Sequence, residues 1–211
     1  MKLQISFDMT DLDKALEIAQ QVKQHADLLE IGSLLLYKYG VTVIEKFKEI
    51  CPDNHIVADA KIIDRGKEAV NLLAQAGADW ITVMAGTKKE IIHASSTAAH
   101  DFNRKVMIDL LDAPSQGQSA LEAQSFGGDA LVFYDDFDSS QIHVFKDKWD
   151  MVRGNSQLPI FVTGRINRDT LETVFSLQPD GIIISRPITD ADNPAEEAQY
   201  FYEKINEPSK G

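Results

Sequence analysis

The sequence predicts an α/β protein of the (β/α)₈ class, a closed TIM barrel formed by a single domain. Three observations predict it. Eight short runs of β-type residues recur about every 26 residues along the chain. Each is followed by a stretch whose apolar residues recur at helical spacing. Nearly every β-type run carries a polar or ionisable side chain at or near its C-terminal end, as strands do when they deliver residues to one mouth of a barrel. Strict strand–helix alternation makes the sheet parallel. An open doubly wound sheet is the competing arrangement. It would leave two edge strands, and no run here is broken by Pro or studded with Lys in the way exposed edges are.

The β-type runs are Leu3–Asp8, Leu28–Gly32, His55–Ala60, Trp80–Met84, Val106–Leu110, Ala130–Tyr134, Ile160–Thr163 and Gly181–Ser185. Leu12, Ala15, Leu16, Ala19 and Val22 space the first helix, and Val41, Ile44, Phe47 and Ile50 the second. Later helices are expected over Lys67–Ala76, Lys89–Asn103, Ser119–Phe126, Gln141–Arg153, Asp169–Ser176 and Ala195–Ile205. Thr10 and Asp11, Ser115, Asn167 and the pair Asn193-Pro194 supply helix starts. Gly77 and Gly127 supply left-handed helix ends. One phrase recurs before strands: Gly77-Ala78-Asp79, then Gly127-Gly128-Asp129, with Pro179-Asp180-Gly181 as a looser echo.

The 211 residues and 44% hydrophobic content are enough for a full core. A formal net charge of -12 argues against nucleic acid or an anionic membrane as the main partner. The N-terminal stretch is too short and polar for a signal peptide. No apolar run approaches the roughly 18 residues of a membrane span. A cytoplasmic location is expected. Cys51 is the only cysteine, so no internal disulfide can form, and it reads as a small apolar filler. His25, His55, His93, His100 and His143 fall away from the strand ends and read as helix or loop residues, and Trp80 and Trp149 as packing residues.

The most informative stretch is Val57-Ala58-Asp59-Ala60-Lys61-Ile62-Ile63-Asp64-Arg65-Gly66. Strand alternation points Asp59 and Lys61 the same way, and the chain beyond can bring Asp64 back toward both. A lysine between two carboxylates stays protonated and keeps them ionised. A surface ion cluster would look the same in isolation. The other strand ends tip the balance toward an active site, for Asp8, Glu30, Asp59, Asp64 and Asp109 would crowd one mouth with Lys61 as the local counter-charge. Mg²⁺ resolves such crowding, because it takes oxygen ligands from one or two carboxylates plus water and substrate. Glu30 and Asp59, on neighbouring strands, are the expected pair. Lys61 would add electrostatic help or a proton. Across the mouth, Gly164 and Arg165 follow strand seven, and Ser185 and Arg186 follow strand eight. The loops after strands seven and eight often bind phosphate in this fold. Two surface arginines near loops are the plainer interpretation of that half. Together the halves suggest a phosphorylated small molecule activated by a metal at its other end.

These residues resemble the orotidine-monophosphate-decarboxylase-like, ribulose-phosphate-binding barrels. Within them the chain is similar to the branch of 3-hexulose-6-phosphate synthase and 3-keto-L-gulonate-6-phosphate decarboxylase. The resemblance rests on the Asp8 strand, Glu30-Ile31-Gly32-Ser33, the D-x-K-x-x-D pattern of Asp59, Lys61 and Asp64, Gly77 to Val83, and Pro187 to Pro194. Val83-Met84-Ala85-Gly86, Asp109 and the Ile188–Pro194 stretch lean toward the synthase. The resemblance implies a Mg²⁺-dependent homodimer with active sites at the interface. Glu30 and Asp59 would hold the metal, Asp8 and Lys61 would contact the substrate, and Asp64 would reach the partner's site. The implied reaction joins formaldehyde to ribulose 5-phosphate through a metal-stabilised enediolate. Decarboxylation of a keto-sugar phosphate is the nearest alternative, and a non-catalytic phosphosugar-binding barrel is another.

Several positions depart from the pattern. Tyr134 stands where both branches carry a proton-transferring His, and an unperturbed Tyr with a pKa of about 10 is a poor base at neutral pH. Asp135 is the candidate to replace it, although Asp135, Asp136 and Asp138 also read as a solvated loop. Phe137 occupies the place of the decarboxylase's arginine. Arg165 and Ser185 stand where glycines are usual.

Overall fold

The computed structural model describes residues 1–134 and 142–207. Asp135, Asp136, Phe137 and Asp138 lie outside the described residues. The chain opens with β1 (Lys2–Phe7), α1 (Leu12–Val22), β2 (Leu28–Ile31), α2 (Ser33–Tyr39) and α3 (Thr42–Ile50). It continues through β3 (His55–Ile62), α4 (Gly66–Gln75), β4 (Trp80–Met84), α5 (Lys89–Asp101), β5 (Lys105–Asp109) and α6 (Gln116–Ala123). It ends with β6 (Ala130–Tyr134), α7 (Ile142–Asn155), β7 (Ile160–Thr163), α8 (Leu171–Phe175), β8 (Gly181–Ile184), α9 (Arg186–Thr189) and α10 (Pro194–Asn206). The eight strands are all parallel, pair in sequence order and close between β8 and β1. The alternation thus yields the barrel, and no edge strand remains. Among the described residues, no helix is long and apolar enough to cross a membrane.

The two faces of each strand have different fates. Outward residues such as Ile5, Ile31, Ile56, Ile81 and Phe133 pack against the ring of helices, where most of the buried apolar surface lies. Each such side chain contributes about 1.5–3 kcal/mol on burial. Trp149 of α7 and Phe133 meet edge to face, with ring centroids 5.8 Å apart, which confirms the tryptophan as a packing residue. Inward residues change character along the barrel axis. Leu28, Val57, Met107, Ala130 and Phe161 fill the N-terminal half, with Trp80 packed against them. Above them come buried polar side chains, among them Ser6, Glu30, Asp59, Thr82 and Asp109.

The recurring pre-strand aspartate has a structural explanation. Asp79 lies just before β4; its amide donates to the Ile56 carbonyl (2.8 Å), and its carboxylate accepts from the Ile56 amide (2.9 Å). Asp129 closes the same two-bond ring with Val106, and Asp180 closes it with Ile160. Asp27 makes a fourth ring with Leu3, at a place where no repeated phrase announces it. Each ring satisfies the amide of the first or second residue of a strand. The device ties β1 to β2, β3 to β4, β5 to β6 and β7 to β8.

Helix caps follow the sequence in part, for Ser115 stands at the start of α6 without a side-chain capping bond. Asp11 accepts from the Lys14 amide and Asn193 from the Glu196 amide. Asn167 accepts from the Asp169 and Thr170 amides, but it does so in a turn three residues ahead of α8. In α1 the buried stripe runs through Ile18, and Leu16 is only half-buried. Cys51 is fully buried at the end of α3, consistent with a filler. Two short helices, α2 and α9, add to the expected set.

Replacing Asp129 by Ala should leave the Val106 amide unsatisfied and cost about 1–3 kcal/mol of stability. Urea unfolding would show this as a lowered midpoint with an unchanged slope. An unchanged midpoint would contradict the assigned role of the ring.

Candidate active site at the C-terminal mouth

Seven strands deliver an inward polar residue to the mouth by simple alternation. Ser6, Glu30, Asp59, Thr82, Asp109, Tyr134 and Thr163 line one cavity of about 250 Å³, joined by Ser185 just past β8. The parity is visible in β1, where Gln4, Ser6 and Asp8 all face this cavity.

Lys61 reaches the cavity by a different route from plain alternation. Strand β3 extends to Ile62, beyond the expected end at Ala60, and its register with β4 shifts between Ala58 and Ile62. Lys61 sits in this irregularity with φ of 46°, in the left-handed region that a side chain enters only under constraint. Its amide donates to Thr82 Oγ1 at 2.9 Å, which fixes the turn. Its Nζ lies 2.8 Å from Asp109 Oδ2 and 3.1 Å from Asp59 Oδ1. The lysine is therefore held between two carboxylates, but the second is Asp109 and not Asp64. Asp64 is exposed, accepts from the adjacent Arg65 amide at 2.8 Å and does not line the cavity of its own chain. The chain turns into α4 at Arg65, itself left-handed, and this carries Asp64 away from the mouth.

Asp59 is 5% exposed and fully engaged. Ser33 donates to its Oδ2 at 2.7 Å and Thr82 to its Oδ1 at 3.0 Å. Asp109 also accepts from the Leu111 amide at 2.9 Å. Glu30 is held by the Gln4 amide group. Burial, together with the Asp59 and Asp8 charges, pushes the Glu30 carboxyl up to about 8, against the opposing pull of Gln4 and Lys61. Burial alone would lower the Lys61 ammonium, but Asp59 and Asp109 outweigh it and hold Lys61 above the usual lysine range. Lys61 is thus a fixed cation and hydrogen-bond donor.

A carboxyl raised this far by burial and by neighbouring acids marks a place where a cation would be favoured. Glu30 and Asp59 offer hard oxygen donors, and water and substrate oxygens can complete an octahedron around Mg²⁺. Among the described residues no cluster of three or more His, Cys, Asp or Glu side chains is arranged to hold a metal. The side chains of Glu30 and Asp59 offer oxygen donors only, the donor type Mg²⁺ takes, with no His or Cys beside them among the described residues that line the cavity.

The four expected phosphate residues also come together. Gly164, Arg165, Ser185 and Arg186 line a second cavity of about 430 Å³, which shares Asp8, Tyr134, Thr163, Ile183 and Ser185 with the first. Gly164 has φ of 115° and Arg165 of 38°, so β7 ends in two consecutive left-handed residues that need glycine at the first. Gly32 is required for a different reason: a Cβ there would collide with the Asp8 carboxylate and the Phe7 carbonyl. Tyr134 is 41% exposed at the end of β6 and borders both cavities.

Gln4, Ser6, Ser33 and Thr82 complete the site. Gln4 and Ser6 share the parity of Asp8, and this was the available signal. Ser33 opens the short helix α2, which carries no strong periodicity.

The model of the orotidine 5'-phosphate decarboxylase / HUMPS family matches residues 1–201. A 3-hexulose-6-phosphate synthase of Bacillus subtilis is 28% identical over 207 residues, covering 97% of this chain and 99% of the relative. The crystal structure of 3-hexulose-6-phosphate synthase from Salmonella typhimurium superposes with a TM-score of 0.87 at 29% identity, covering 96% of this chain and 97% of the other. KGPDC from Streptococcus mutans, in complex with a sugar-phosphate ligand, superposes with a TM-score of 0.85 at 26% identity, covering 97% of each chain. With the family model matched over all but its last ten residues, and with the fold and mouth described above, the chain belongs to the orotidine 5'-phosphate decarboxylase / HUMPS family.

Proposed function

We propose that this protein is a Mg²⁺-dependent aldolase, a carbon–carbon lyase of the 3-hexulose-6-phosphate synthase type, which joins formaldehyde to ribulose 5-phosphate. One observation carries the reading. A fixed lysine cation, flanked by Asp59 and Asp109 and beside Glu30, opens into a second cavity lined by Gly164, Arg165, Ser185 and Arg186. The two cavities together suit a sugar phosphate with its phosphate on the β7 and β8 side and its carbonyl end near Glu30. The synthases of Bacillus subtilis and Salmonella typhimurium, similar over nearly their whole lengths, support the same choice.

Each residue then has a role set by its chemistry. Arg165 and Arg186 would hold the phosphate, with Gly164 allowing close backbone approach. Glu30 and Asp59 would hold Mg²⁺, which supplies positive charge where negative charge builds on the substrate's carbonyl oxygens. Lys61 donates a hydrogen bond to the same region, and Asp109 keeps it aimed and protonated. A proton leaves C1 of the pentulose phosphate, and the electron pair released there forms the new bond to the formaldehyde carbon. The formaldehyde oxygen takes up a proton and becomes a hydroxyl. Asp8 borders both cavities and would contact the substrate beside those transfers, and Tyr134 borders both as well.

A decarboxylase reading is favoured by one specific observation, the likeness to KGPDC in complex with a sugar phosphate. Formaldehyde consumption against CO₂ release separates the two. Sugar-phosphate binding without either reaction would instead mark a non-catalytic barrel.

We further propose a homodimer. Leu34 and Tyr37 of α2, Ile63 after β3 and Leu72 of α4 expose 50%, 75%, 65% and 60% of their surfaces, and Asp64 follows Ile63 directly. A second copy covering these side chains would bury a run of apolar surface and bring Asp64 to the partner's mouth.

The Asp59→Asn variant should lose at least about 100-fold in kcat/KM for formaldehyde condensation, with its thermal unfolding retained. Unchanged turnover would remove the metal-site reading. Sedimentation equilibrium should give twice the 23.5 kDa chain mass, and a single-chain mass at working concentration would contradict the dimer.

A further inference from the structure

Ser6, Gln4 and Ser185 carry buried oxygens that have no hydrogen-bond partner among the described residues. Ser6 is 2% exposed and Gln4 is 1% exposed, and all three side chains line the mouth cavity. A buried hydroxyl or amide oxygen left unpaired is costly, so three in one place need a reason.

The strand register brings them together. β1 pairs with β8 through Gln4 opposite Ile183 and Ile5 opposite Ile184, and one step further puts Ser6 beside Ser185. On its other side Ser6 lies opposite Glu30 of β2. Ser6 and Glu30 pair across β1 and β2, and Ser185, one residue past the end of β8, continues the row into the turn before α9. Gln4 lies two residues below Ser6 on the same face. Its Nε2 donates to Glu30, and its Oε1 is the unpaired atom. The row runs from the arginine-lined cavity, which Ser185 also lines, to the carboxylate pair.

We propose that Ser6 and Ser185, with Gln4 Oε1 beneath them, form a subsite for a mid-chain hydroxyl of the sugar phosphate and so select substrates by that group. This rests on the sugar-phosphate reading above. A serine hydroxyl both donates and accepts, whereas Gln4 Oε1 only accepts. The ligand group must therefore be able to donate, as an alcohol does. A carboxylate or phosphate cannot donate, and Glu30 stands next in the row.

The test is calorimetric titration of ribulose 5-phosphate and, separately, of inorganic phosphate into wild type, Ser6→Ala, Ser185→Ala and the double variant. Ser6→Ala should bind ribulose 5-phosphate about 10-fold more weakly, with inorganic phosphate changed by less than about 2-fold, and in the double variant the pentulose phosphate should lose more than inorganic phosphate does. The ligand-free Ser6→Ala protein should melt no lower than wild type, because it loses an unpaired hydroxyl. Unchanged pentulose-phosphate affinity would overturn the inference and leave the hydroxyls as partners of water alone. An equal loss for both ligands would also overturn it, because the serines would then act only through the phosphate loop. Wild type that binds ribulose 5-phosphate without consuming formaldehyde contradicts the proposed aldolase yet supports the subsite if the serine contrast is present. Wild type that binds inorganic phosphate but not ribulose 5-phosphate overturns the subsite itself.

Discussion

The Lys61 ammonium, 2.8 Å from Asp109 and 3.1 Å from Asp59, is the contact around which the upper half of the barrel is arranged. Three strands must be in register for it to exist. β3 must bulge to turn Lys61 inward, β4 must bring Thr82 to hold the bulge, and β5 must end on Asp109. Thr82 links the parts, because its one hydroxyl accepts from the Lys61 amide and donates to Asp59. The one positive charge fixed there faces two carboxylates, Asp59 and Asp109. At Glu30, burial first and then the Asp59 and Asp8 charges outweigh Lys61 and Gln4 and raise the carboxyl. This excess of acidic side chains around a single ammonium is the physical argument for the proposed Mg²⁺ beside Glu30 and Asp59.

Stability and function are divided along the barrel axis. At the N-terminal end, Leu28, Val57, Met107 and Phe161 fill the interior, and four aspartates close two-bond rings between strand pairs. At the C-terminal end the same inward parity carries acids, hydroxyls and one lysine. The lower half can support buried polar groups above it because it is dry and close-packed. Those upper groups are costly to the ligand-free fold, as expected where a site is kept ready for something it does not yet hold.

Much of this was legible in the sequence because two periodicities carry it. Strand–helix alternation specifies the barrel, and alternation within strands specifies which residues meet at the mouth. The eight strands and the convergence of Asp8, Glu30, Asp59 and Asp109 followed from these, the four phosphate-loop residues followed from their positions after strands seven and eight, and Lys61, expected at the mouth by alternation, arrives there through a bulge. The rest depends on departures from regularity, which leave no periodic trace. The bulge at Lys61 lengthens β3 and moves the turn, so Asp64 leaves the mouth and Asp109 takes its expected place beside the lysine. The short helices α2 and α9 have too few turns to show a stripe. Asp27 performs the same task as Asp79 without the surrounding glycine phrase. Ser6 and Gln4 were hidden because neither is ionisable, although their parity with Asp8 already placed them inward.

The most direct test of the proposed Mg²⁺ site is calorimetric titration of Mg²⁺ in buffers of different ionisation enthalpy, which counts protons released on binding. Glu30 holds its proton below about pH 8 in the metal-free protein, and a cation bound beside it must displace that proton. The cation site therefore predicts release of close to one proton per Mg²⁺ near about pH 6.5, fading above about pH 9. Mg²⁺ uptake with no proton release at the lower pH, or no uptake at either, would contradict it.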